Sequence, residues 1–199
     1  MRISNYYIGA DPELFITDGD KVISAVGLLP GSKEEPYISD DMPKGFGLQT
    51  DNILAEFNIP PVNDVVSFVS NIEYMKDYIR NYVKNINPNY DILCSASQIV
   101  DEDQLQTDQA KEFGCSVDYN VYTKSANPKP NGEQTNLRSA GMHIHVSYEN
   151  NNINTSLDII RILDVFLGIP SVILDNDSKR RELYGKAGCF RLKDYGKIK

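Results

Sequence analysis

The sequence predicts an α+β fold built on a mainly antiparallel sheet. Three observations lead there. Short strand-like segments are joined by hairpin-type turns, and one long amphipathic helix is inserted among them. Neither a Gly-x-Gly-x-x-Gly nor a Walker sequence is present to open a parallel, nucleotide-binding sheet. With 199 residues the chain is read as a single domain, 1–199, able to bury roughly 70% of its unfolded surface.

Tyr6 to Ile16 reads as a strand, and Asp18-Gly19-Asp20 as the turn that pairs it with Lys21 to Val26. Leu28 to Gly47 carries three prolines and three glycines, a long loop of the kind that binds or covers sites. Leu48 to Pro60 is strand material ended by Pro60-Pro61. Asn63 is placed to cap a helix with Asp64 in its first turn. From there Val65, Phe68, Val69, Ile72, Met75, Ile79, Tyr82, Val83 and Ile86 keep the 3.6-residue period for about six turns. The Met and Tyr positions of that stripe read as core, and Asn87-Pro88-Asn89 stops the helix.

Tyr90 to Val100 follows as a strand and Asp101 to Phe113 as an acidic helix or loop. Gly114 to Thr123 is a further strand, with Cys115, Val117, Tyr119 and Val121 on one side. Asn127 to Gly132 is a turn-rich loop, and Asn150-Asn151-Asn152 a turn. Thr155 or Ser156 caps a second apolar helix from Leu157 towards Leu167, broken at Gly168-Ile169-Pro170.

The charge balance is 20 − 28 = −8, with no basic tract in the body of the chain, so duplex nucleic acid is not an expected partner. Cys94, Cys115 and Cys189 are widely separated and form no Cys-x-x-Cys pair, which suggests reduced thiols in a cytoplasmic setting. The N-terminus has no signal-peptide pattern and no segment is apolar enough to span a bilayer, so no membrane association is expected.

The residues suited to chemistry begin with Ser139 to Ser147, which holds both histidines of the chain. Alternation puts His143 and His145 on one face of a strand and Ile144 and Val146 on the other. Pro12 keeps Asp11 extended, so Asp11 and Glu13 can share a face. Glu56 shares its strand face with Leu54 and Asn58, and a carboxylate among apolar residues is either an edge position or one that needs a partner. Oxygen ligands with an imidazole suit Mg²⁺ or Mn²⁺ better than structural zinc.

A second cluster, Ser178 to Arg191, has five cations in fourteen residues and reads either as a solvated basic face or as a phosphate-binding segment. Arg138 could join it or clamp a substrate carboxylate. Nucleophilic catalysis by Cys115 or a serine, and glycoside hydrolysis by paired carboxylates, find weaker support, since neither a nucleophile elbow nor a use for the arginines follows. A metal-dependent hydrolase using His143, Glu13 and Glu56 is a further alternative.

Four segments in order resemble a known family: Gly9-Ala10-Asp11-Pro12-Glu13-Leu14-Phe15; Asp51-Asn52 with Glu56-Phe57-Asn58-Ile59-Pro60-Pro61; Arg138 to Val146; and Arg180-Arg181-x-x-Tyr184-Gly185-x-Ala187-Gly188-x-Phe190-Arg191. Together they are similar to the phage amidoligases, the type-2 COOH–NH2 ligases of phages similar to phiEco32, in the glutamine synthetase and glutamate–cysteine ligase superfamily. The resemblance runs from Gly9 to Gly196, and Gly141 to Ser147 is also similar to the Gly-Met-His-x-His-x-Ser strand of glutamine synthetase.

The resemblance implies a curved half-barrel sheet with helices on its convex face and ATP with Mg²⁺ or Mn²⁺ in its concave one. It implies that a carboxylate is activated as an acyl phosphate and joined to the amine of an amino acid or peptide. Glu13, Glu56 and His143 would hold metal, with Asp11 and Asp51 as further ligands, and His145 would touch ATP phosphate. Arg181 and Arg191, or Arg180, would neutralise the transferring phosphoryl group. Superfamily members often build sites across subunits, so a homo-oligomer fits, and the resemblance implies a phage- or prophage-encoded protein acting in the host cytoplasm. Family members are expected to continue past Tyr195-Gly196 into a strand with a further Glu and Arg, whereas the sequence stops at Lys199. That predicts an exposed sheet edge there and admits a catalytically incomplete relative that binds nucleotide or protein.

Overall fold

The structure is a computed structural model and describes residues 5–111, 118–128, 135–149 and 152–192. Its strands are β1 (Tyr6–Asp18), β2 (Lys21–Ile23), β3 (Gly47–Asp51), β4 (Leu54–Asn58), β5 (Tyr90–Leu93), β6 (Ser97–Ile99), β7 (Tyr119–Asn120), β8 (Leu137–Ser139), β9 (Met142–Tyr148) and β10 (Cys189–Phe190). Its α-helices are α1 (Val65–Ile86), α2 (Asp108–Lys111), α3 (Ile153–Leu163), α4 (Ile169–Leu174) and α5 (Ser178–Leu183). The chain divides into two compact units, Met1–Glu112 with Gly132–Glu149, and Phe113–Asn131 with Asn150–Lys199.

In the first unit β1 is the strand to which four others pair, all antiparallel. It takes β9 along Tyr6 to Pro12, β4 at Glu13 and Leu14, β5 along Phe15 to Asp18, and β2 along Ile16 to Asp18. With β3 beyond β4, this makes a curled six-stranded sheet. Pro12 sits inside β1, where a missing donor would ordinarily break a ladder. The N–H of Glu13 bonds Gly141 O on the β9 side (2.9 Å), and the N–H of Ile8 bonds Val62 O on the other (2.7 Å). Alternation therefore turns the position of Pro12 to the β4 edge, in the interval between the Ile59 N–H to Ala10 O bond and the first β4 pair.

The two faces of β1 differ completely. Ala10, Leu14 and Ile16 join Leu48, Ala55 and Phe57 in one core cluster, closed by Met75, Ile79 and Val83 of α1. Those three helical positions recur every four residues and are fully buried. Each such side chain contributes about 1.5–3 kcal/mol of burial. On the opposite face Phe15 meets Ile53, Leu54 and Val100, while Asp11 and Glu13 precede it along the strand.

Several elements depart from expectation. The cap of α1 is Asp64, whose Oδ1 accepts the Ser67 N–H at 2.8 Å, because the capping oxygen must reach the third helical amide; Asn63 stands one residue too early. Val65, Val69 and Ile86 at the helix ends are exposed, so the apolar stripe seals only the middle and later turns. Tyr90 to Val100 is two strands, since β5 pairs with β1 and β6 with β8. Asp101 onwards forms a short 3-10 turn, Glu102–Leu105, and then α2.

Of the strand expected from Gly114, residues 114–117 (Cys115 and Val117 among them) lie outside the described residues, and Tyr119–Asn120 pairs with β10. Part of the Asn127 to Gly132 loop, the Asn150-Asn151 turn and residues beyond 192 lie outside them as well. In the second unit Asn152, rather than Thr155 or Ser156, caps α3, accepting the Thr155 N–H at 3.0 Å. Gly168-Ile169-Pro170 does not break the helix. The Ile169 N–H reaches back to Asp164 O in a π segment, Asp164–Gly168, and Pro170 follows directly after that wider turn, which already interrupts the i→i−4 ladder. No helix among the described residues is long and apolar enough to cross a membrane.

Candidate active site

Strand register builds the site. Glu13 of β1 lies directly opposite Glu56 of β4, and Glu56 directly opposite Gln49 of β3. Directly paired residues share a face, and Asp51, two positions after Gln49, shares it too. The outcome is a cluster in which one carboxylate oxygen from each of Glu13, Asp51 and Glu56 lies within 4.8 Å of the other two.

The cluster is held from several sides. Gln49 Nε2 donates to Glu56 Oε2 at 2.7 Å, and the Gly141 N–H donates to Glu13 Oε2 at 2.7 Å. Lys33 Nζ, from the β2–β3 loop, pairs with Asp51 Oδ2 at 2.9 Å. Burial pushes the Glu56 carboxyl up to about 7, with Asp51, Glu13 and Asp11 adding to the rise and the Gln49 amide opposing it. Burial likewise raises Glu13, against the Gly141 N–H and reinforced by Asp51. Crowded, half-desolvated carboxylates of like charge resist ionising together, and a hard divalent cation is the ligand that relieves them. The donor set fits such an ion.

The next row along the same face is the imidazole pair. Asp11 lies opposite His143 and Gly9 opposite His145. Asp11 Oδ1 meets His143 Nδ1 at 3.1 Å and also accepts the His143 backbone N–H at 2.9 Å, while Oδ2 meets His145 Nε2 at 3.1 Å. Burial works to raise the Asp11 carboxyl, but hydrogen bonds and charge from the two imidazoles outweigh it and hold the group well below the usual carboxylate range. An ionised Asp11 only accepts, so the contacting nitrogens carry the protons. In the neutral rings this gives opposite tautomers, His143 with its proton on Nδ1 and His145 on Nε2.

Asp11, Glu13, Asp51, Glu56, His143 and His145 thus all lie in the first unit. The three-carboxylate cluster contains Asp51 in place of His143, whose ring is bonded to Asp11 instead. Arg138, expected to join the phosphate-binding arginines or clamp a substrate carboxylate, belongs to this unit too, and the structure places it on backbone carbonyls. Its side chain is buried, and its guanidinium bonds Ala110 O (3.2 and 3.0 Å), Thr135 O (2.9 Å) and Leu137 O (2.9 Å), tying β8 to α2.

Arg180, Arg181 and Arg191 lie in the second unit. Arg181 Nη1 donates to Val172 O at 2.9 Å and Asp175 O at 2.6 Å, carbonyls at the end of α4. Arg180 stacks over the Tyr184 ring at 5.7 Å. Among the described residues, Arg191 Nε is buried without a hydrogen-bond partner.

Sequence reasoning missed Gln49 and Lys33. Gln49 was legible, since it alternates with Asp51 on one strand; Lys33 carried no signal, because only the fold of its loop brings it to Asp51.

These features define an α+β protein that presents carboxylates and an imidazole pair from one face of a curled antiparallel sheet. Residues 132–197 match the family described as Phage phiEco32-like COOH.NH2 ligase-type 2, the family that the four segments resemble. The matched stretch contains both histidines and Arg138, Arg180, Arg181 and Arg191, whereas the clustered carboxylates precede it. Comparison with curated proteins and with solved structures gave no match.

Proposed function

We propose that the chain is an ATP- and Mg²⁺-dependent carboxylate–amine ligase built on a glutamine-synthetase-like catalytic sheet, acting in the cytoplasm. The observation that carries this reading is the convergence of Glu13, Asp51 and Glu56 oxygens within 4.8 Å, on the sheet face that also holds the histidine pair of the family-matched segment. ATP would supply the phosphoryl group that turns a substrate carboxylate into an acyl phosphate, with ADP leaving and the cation neutralising charge, and an amine would then displace phosphate to give an amide.

Glu13, Asp51 and Glu56 would hold the cation, with Gln49 and the Gly141 amide orienting two of them. His143 and His145, each oriented by Asp11 through one ring nitrogen, would contact the ATP phosphates. The test is release of ADP and phosphate from ATP with Mg²⁺ and a panel of amino acids and peptides, with product masses recorded. Turnover that requires both an acid and an amine supports the reading. A wild-type chain that binds neither Mn²⁺ nor nucleotide, or that hydrolyses a substrate without ATP, overturns it.

A further inference from the structure

Lys33 belongs to none of the recognised segments, yet its ammonium stands at the carboxylate cluster. It projects from a tight turn in which the Ser32 N–H bonds Glu35 O at 3.0 Å and the Glu35 N–H bonds Ser32 Oγ at 3.2 Å. Both ends of that turn are fastened to β3. The Thr50 N–H bonds Gly31 O at 3.3 Å, and Tyr37 and Leu48 exchange backbone bonds of 2.7 and 2.9 Å. Gly31 has φ +85°, and a Cβ there would lie 2.4 Å from Leu48 O and 2.6 Å from Tyr37 N, so only glycine allows the loop to lie this close.

The base of Lys33 is therefore fixed beside the strand that carries Asp51, while its side chain remains half exposed, at 49%. An ammonium on a four-carbon stem can leave without any movement of the loop.

We propose that Lys33 is a tethered counter-ion of the carboxylate cluster, neutralising Asp51 in the metal-free protein and giving way by side-chain rotation when a divalent cation takes the same oxygens. It thereby sets how tightly that cation is held. This rests on the reading of the cluster as a divalent-cation site. An oxygen of Asp51 engaged by the ammonium is a poorer ligand, and two cations crowded at one carboxylate repel. An arginine at this position would hold Asp51 more firmly, because its fork is planar and bidentate.

The experiment is Mn²⁺ titration of the full chain by calorimetry, for wild type, Lys33→Met, Lys33→Gln and Lys33→Arg, with Asp51→Asn as background. Lys33→Met and Lys33→Gln are expected to bind Mn²⁺ roughly threefold to tenfold more tightly than wild type, and Lys33→Arg more weakly. The gain disappears in Asp51→Asn. Acetylation of Lys33, followed by mass spectrometry, is expected to speed up on addition of Mn²⁺, as the ammonium leaves its partner. Equal or weaker binding by both Lys33→Met and Lys33→Gln overturns the inference. If wild type binds Mn²⁺ and turns over ATP all the same, this inference alone falls; if no variant binds Mn²⁺, the ligase reading falls with it.

Discussion

The two faces of β1 are made by one stretch of chain and obey opposite rules. Ala10, Leu14 and Ile16 face Met75, Ile79 and Val83 of α1, a packed apolar layer without a charge. Asp11 and Glu13, interleaved with them, face Glu56, Asp51 and the histidines, where like charges crowd and burial lifts Glu56 to about 7. The first face stabilises and the second costs stability, and because alternation is obligatory neither can shift without the other. A site of mutually repelling carboxylates survives because the layer behind it supplies the packing energy and fixes the backbone.

The sharpest way to break this contrast is one substitution on each face. Glu56→Gln keeps the shape and the Gln49 contact but removes one charge. Mn²⁺ affinity is expected to fall at least about a hundredfold by calorimetry, while the metal-free melting temperature holds or rises. Ile79→Ala leaves a cavity behind the sheet and is expected to lose about 2–5 kcal/mol in urea unfolding, with Mn²⁺ affinity of the folded protein within about twofold of wild type. If both variants damaged stability and metal binding alike, the two faces would not be separable in the way described.

The pH dependence of metal-free stability is the next largest effect. Glu56 is raised on folding, so its contribution is fully present below the unfolded value near 4.5 and is lost as pH climbs through about 7. Glu13 is raised and acts in the same direction. Asp11 is depressed, so its contribution is present above its ordinary value of 3.8 and lost only in stronger acid. Urea melts without metal are expected to weaken from pH 5 to 7.5 by about 3 kcal/mol at most. Glu56→Gln flattens that slope, and millimolar Mg²⁺ reverses it as the carboxylates become available. A stability that rises across this window would contradict the crowding of the polar face.

How much of this could be read from the sequence follows from the range of each interaction. Period-two alternation is local, so it put Asp11 beside Glu13 and His143 beside His145 on shared faces, and the structure has them so. The 3.6-residue stripe of α1 is equally local, and Met75, Ile79 and Val83 form its buried centre. Register is not local: nothing in either strand states that Glu13 meets Glu56, or that Asp11 takes both rings. Arg138 shows the same gap from the other side. A guanidinium advertises charge, yet this one is buried on three backbone carbonyls, and burial is decided by α2 and β8 closing over it. Lys33 is the extreme case, since a turn fastened to β3 through Gly31 and Tyr37 has no motif to announce it.

Asp11→Asn tests the finer organisation of the polar face and is expected to have the smallest of these effects. Asparagine keeps the length of Asp11 and one acceptor, enough for the His143 backbone N–H and Nδ1. Its other terminal group is an amide that donates, and it would confront His145 Nε2, which now donates to Asp11 Oδ2. The His145 ring must then move its proton to Nδ1 or rotate away, so the two rings lose their opposed tautomers. Imidazole ¹⁵N spectra are expected to report the change at His145 and not at His143. If the rings serve ATP phosphates, turnover falls roughly tenfold, with Mn²⁺ binding at Glu13, Asp51 and Glu56 little changed. A loss confined to stability, with both tautomers kept, would make Asp11 a structural partner of β9 and remove the histidine pair from the phosphate reading.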